Sequence, residues 1–101
     1  MPSNKEELLE QLKKKFDDLN HRWNIERNKF EAQAQHESAE VRKKFEEKQK
    51  EVRKFRNDMK EKIIDLEVAS ENAWDDVKDG AEKTWRALSE AFDKASSHFK
   101  K

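Results

Sequence analysis

The sequence predicts an all-α protein, and three observations carry that expectation. Helix-forming Glu, Lys, Ala, Leu, Gln and Arg dominate a chain of 101 residues that holds one Gly, one Pro and no Cys. That composition leaves little with which to join strands by turns. Charged residues supply 46 % and apolar ones 33 %, and a chain so polar stays disordered unless its apolar residues are placed periodically. They are so placed. Stepping by eleven from Leu8 gives Leu19, Phe30, Val41, Val52, Ile63, Trp74 and Trp85, every one large and apolar. Parallel series hold Leu12, Trp23, Ala34 and Phe45, then Phe55, Leu66, Val77, Leu88 and Phe99, then Met59, Ala81 and Phe92. Eleven residues make three helical turns at about 3.67 residues per turn, so such a stripe runs nearly parallel to the helix axis or winds gently to the right.

The first element starts well. In "PSNKEELL" Ser3 is placed to cap a helix, Glu6 completes a capping box, and Pro2 lies just outside. Leu9, Leu12, Phe16, Leu19 and Trp23 then follow three-four spacing, which is heptad-like. Leu19 belongs to both patterns, so long amphipathic helices with a mixed heptad and eleven-residue repeat are expected. No Pro or Gly occurs between Asn4 and Asp79, a stretch worth roughly 110 Å if helical throughout. Two soft spots interrupt it: "EAQAQHESAE" at 31–40, where Ser38 can cap a new helix, and "EVASENAW" at 67–74, where Ser70 can. Gly80 is the one strong flexible point. The repeat passes through it in phase, so it is read as close packing or a slight bend.

The expected core or interface is Leu8, Leu12, Leu19, Trp23, Phe30, Val41, Phe45, Val52, Phe55, Met59, Ile63, Leu66, Trp74, Val77, Ala81, Trp85, Leu88, Phe92 and Phe99. Water cannot accommodate so long a stripe, so the chain folds back on itself or finds copies of itself or another protein. Turns at both soft spots give a three-helix bundle. Against that, the scarcity of Gly and Pro disfavours tight turns and points to a long coiled coil. The expected architecture is therefore a coiled coil or an elongated helical bundle. It forms one unit over 1–101, with a charged coiled-coil region at 3–70 and a Trp-containing helix at 71–100. Residues 41–62 carry a net charge of +5 and 63–79 a net charge of −5, and these blocks are candidates for antiparallel pairing.

Function classes are narrowed by what is present. The 23 basic and 23 acidic residues cancel, so no global field attracts nucleic acid, and "VRKKFEEKQKEVRKFRNDMK" intersperses Glu among its cations. A helix lying on a membrane surface usually has a strongly basic polar face, which plentiful Asp and Glu deny this chain. No apolar run is long enough for a membrane span or a signal-peptide core, and a cytoplasmic location is expected. His21, His36 and His98 are not at metal spacing; Asp17 and His21 share a helical face but make an incomplete site. No Ser-His-Asp arrangement, phosphate loop or HExxH occurs. The expectation is a non-enzyme without catalytic residues, metal or cofactor.

The stretch "ENAWDDVKDGAEKTWRALSEAFDKASSHFKK", 71–101, resembles the C-terminal signature of a family of small bacterial coiled-coil stress-response proteins with a cyanobacterial founding member. The resemblance rests on Ala73, Trp74, Asp75, Asp76, Val77, Lys78, Gly80, Glu82, Lys83, Trp85 and Leu88, and on Lys94, Ala95, Ser96, Ser97, Phe99 and Lys100. Thr84 and Arg86 depart from the commoner alanine and acidic residues. The resemblance implies a helical cytoplasmic protein associated with stress, and gives no site residues to carry over. The expected function is a self-associating coiled-coil scaffold or protective protein, a homo-oligomer. The alternatives are an amphipathic membrane-surface helix or a desiccation-type protectant that becomes helical on drying.

Overall fold

A computed structural model describes residues 4–99, with side chains described for 5–97, and places them in three long helices. α1 spans Asn4–Gln33, α2 spans Ala39–Val68 and α3 spans Glu71–Phe99. At about 1.5 Å per residue each is roughly 45 Å long, in keeping with a molecule of 53 × 22 × 17 Å. Its radius of gyration is 16.2 Å, above the value of about 13 Å expected for a rounded chain of this length. The expected Ser3 cap lies outside the described residues. Glu6 and Glu7 occupy the first turn of α1, where negative charge suits the helix dipole.

Both soft spots are turns. After a single 3-10 turn at Ala34–His36, Glu37 and Ser38 are extended, and the Ser38 hydroxyl accepts a hydrogen bond from the Val41 N–H at 3.2 Å. At the second turn Ala69 is extended (φ −67°, ψ 136°), and Ser70 Oγ accepts from the Ala73 N–H at 3.3 Å. No residue among those described has a positive φ. The reversals are made with extended backbone and serine caps, which any L-residue can adopt, so the scarcity of glycine is no obstacle to them.

α2 runs antiparallel to α1, shown by the stacked Phe30 and Phe45 rings, 4.0 Å between centroids, and by Arg56 Nε donating to Asn20 Oδ1. α3 runs parallel to α1, because Trp23 meets Phe92 and Lys5 meets Trp74 at the same sequence offset. α2 and α3 approach one another much more closely than α1 approaches either. The buried side of α3 supplies Ala81, Leu88, Ala91 and Ala95, and small residues let two backbones come together. The buried side of α1 is Leu12, Leu19, Trp23 and Phe30, whose bulk holds its axis further away.

The eleven-residue series crosses both turns, so it is three segments and not one stripe. Within α2 the buried positions Phe45, Val52, Met59 and Leu66 recur every seventh residue, the spacing of helices packed at shallow angles. Gly80 corrects its sequence reading. A Cβ there would meet only the Lys62 side chain, at 3.8 Å, which is ordinary contact, and α3 continues through it. The charge blocks do not pair either. Residues 63–79 contain the α2–α3 turn, so the acidic block folds across the end of the bundle and does not lie along 41–62. The interhelical ion pair among the described residues joins Lys13 to Glu67 at 2.6 Å; the others lie within single helices.

Candidate interaction surfaces

Most of the residues read from the sequence converge on one core. Leu12, Leu19, Trp23, Val52, Met59, Ile63, Leu66, Ala81, Leu88 and Phe92 are buried in it, and Phe30 and Phe45 are buried as a stacked pair beside it. Leu8, Phe55, Trp74, Val77 and Trp85 are half-buried and pack against the core. Val41 does not join: it is 38 % exposed. It lies in the first turn of α2, three residues after the Ser38 cap. The side chain of Phe99 lies outside the described residues. Ala91 and Ala95 were missed as core. Their spacing from Leu88, three and seven residues on, is a helical-face signal that becomes visible once alanine is counted as apolar.

Because α1 stands off from the α2–α3 pair, it leaves a groove on each flank. The α1–α3 groove holds the indoles of Trp74 and Trp85. Trp74 lines a recess of about 260 Å³ with Lys5, Glu7, Leu8, Gln11 and Lys78. Trp85 lines another of about 270 Å³ with Lys15, Asp18, Leu19, Arg22, Ser89, Phe92 and Asp93. Cations lie over aromatic rings here. Lys5 Nζ lies 4.9 Å from the Trp74 ring centre and Arg22 lies 5.3 Å from that of Phe92. Lys5 Nζ also donates to the Ala69 carbonyl at 2.9 Å, satisfying an acceptor just past the end of α2.

The α1–α2 groove is graded. One end, about 400 Å³, is lined by Phe16, Asn20, Arg53, Arg56, Asn57 and Lys60. The other, about 260 Å³, is lined by Lys13, Phe16, Asp17, Lys60, Ile63 and Ile64. At the basic end burial and the neighbouring Arg27 and Arg53 charges hold the Arg56 guanidinium below the usual arginine range. Ile64, in the groove lining, is 50 % exposed, and Val68 is 77 % exposed.

Among the described residues no polar or charged residue is buried, and no three His, Asp or Glu side chains are grouped so as to hold a metal ion. Asp17 and His21 are both exposed. No described helix is long and apolar enough to cross a membrane. Protein-family models, curated proteins and solved structures were each compared with the chain, and none matches.

Proposed function

We propose that this chain is a non-enzymatic helical protein that self-associates and serves a bacterial stress response as a cytoplasmic scaffold or protective protein. The observation that carries self-association is the incompletely covered seam. Leu8, Trp74, Val77 and Trp85 are only half-buried within one chain, and both indoles line open grooves beside α1. A large aromatic side chain buries more surface than any aliphatic one and fixes register by its shape, so a second copy seated along this flank gains most at those two positions. The stress setting rests on the resemblance of 71–101 described above. The non-enzymatic reading rests on the placing of the histidines and carboxylates as helix surface residues, Asp17 and His21 among them.

Sedimentation equilibrium over a wide concentration range tests the assembly. The expected result is a mass above one chain that falls on dilution, and a smaller mass when Trp74→Leu and Trp85→Leu are combined. A single-chain mass at every concentration overturns it. The stress role is tested by the protein's abundance in its host before and after heat or osmotic shock, and unchanged abundance counts against it.

A further inference from the structure

We propose that the groove between α1 and α2 binds a phosphate monoester, with the anion on Arg53, Arg56 and Lys60 and the apolar part against Phe16, Ile63 and Ile64. This site lies on the opposite flank of α1 from the indoles and is independent of self-association.

The basic end of the groove is built for an anion. None of its lining residues is a carboxylate. Asn20 Oδ1 accepts a hydrogen bond from Arg56 Nε at 2.5 Å, which orients the guanidinium and leaves its two Nη groups free to donate as a fork. Arg27, next along α1, has a buried Nε without a hydrogen-bond partner, and its contact with Glu31 is a loose 4.0 Å. Arg27 and Arg53 stand close enough to Arg56 to add their positive charge to its own in a partly desolvated place. The depressed pKa of Arg56 is one sign of it. A phosphate monoester is mostly dianionic at neutral pH, and its tetrahedral oxygens match forked donors arriving from several side chains.

The same groove continues through Phe16 and Lys60 to Ile63 and Ile64, so a bound ester has an apolar wall on which to lay its substituent. Lys13 at that end is already paired with Glu67, and Asp17 lines it as well. Those carboxylates repel a second phosphate, which selects a monoester over a polyanion such as a nucleic acid.

The test is titration of the full chain at constant ionic strength with phenyl phosphate and, separately, inorganic phosphate, followed by backbone amide shifts and calorimetry. Shifts are expected in 13–20 and 53–64, with phenyl phosphate binding more tightly than inorganic phosphate. Combining Arg53→Gln and Arg56→Gln weakens both roughly tenfold or more. Ile64→Ser, at an exposed position, weakens phenyl phosphate alone. If the double variant loses helicity, Arg53→Gln by itself replaces it, since Arg53 is exposed. Phosphatidylcholine vesicles with and without phosphatidic acid separate the sources. Co-sedimentation with phosphatidic acid that the Arg variants abolish assigns the anion to a lipid headgroup, and phenyl phosphate binding without it assigns a soluble ester. The proposal is overturned by absence of shifts in the groove with either probe, by unchanged affinity in a folded Arg variant, or by binding to a single-stranded oligonucleotide alone.

Discussion

The Trp23 and Phe92 rings meet edge to face, with centroids 5.9 Å apart and planes at 64°. Trp23 is 1 % and Phe92 5 % exposed, so this contact, deep in the bundle, sets the register of α1 against α3. The two residues belong to different segments of the sequence repeat, and only the reversal of the chain at both turns brings them together.

Trp23→Ala removes the largest fully buried side chain of the core. The expected loss is about 3–5 kcal/mol, a large part of the roughly 5–15 kcal/mol that holds a domain folded. Urea unfolding followed by circular dichroism measures it. A double-mutant cycle with Phe92→Ala should return a coupling of about 0.5–1.5 kcal/mol, and a coupling of zero would show that the ring geometry adds nothing beyond burial.

Gly80→Ala should stabilise the protein by about 0.5–1 kcal/mol. The added methyl finds only the flexible Lys62 tail at van der Waals distance, and the backbone there is already helical. A fall in melting temperature contradicts the unstrained fit of a methyl group inferred at this residue.

Ser38→Ala and Ser70→Ala each remove a hydroxyl acceptor at a helix start and should each cost about 1 kcal/mol. The sites lie at opposite ends of the bundle, so the double variant should show the sum. Thr in either place should restore most of the loss.

Lys5→Met removes a hydrogen bond to the Ala69 carbonyl and a cation from the Trp74 ring while keeping the apolar stem. The group is partly solvated, so the expected cost is modest, about 0.5–1 kcal/mol. Trp emission is the more direct readout, because the indole gains exposure to water; an unaltered spectrum argues that Lys5 does not cover it.

Amide hydrogen exchange should rank the helices. α2 and α3, in close backbone approach through Ala81, Ala91 and Ala95, should exchange most slowly. α1, held off by Trp23 and Phe30, should open first as a unit. Equal protection across all three helices would remove the distinction.

Local rules made the helices and their ends legible from sequence. Helix-forming residues, the scarcity of Gly and Pro, and two serines poised to cap new helices placed α2 and α3 close to where they lie. Apolar periodicity identified most of the core, from Leu12 to Phe92. What periodicity could not distinguish was a residue facing the bundle from one at its end, and Val41 is exposed for that reason. Nor could it rank small residues, so Ala91 and Ala95 went unread although they allow α2 and α3 to approach. Whether the stripe closed on itself or extended as one helix was not encoded in any spacing, because Ser38 and Ser70 permit a turn without compelling it. The tertiary structure decided it. Burial of Trp23 against Phe92 and of Phe30 against Phe45 becomes possible only when the chain has reversed twice, and the same packing leaves Arg53, Arg56 and Lys60 along one groove. Contacts between residues distant in the chain depend on the separation and register of the helices, and a one-dimensional pattern carries neither.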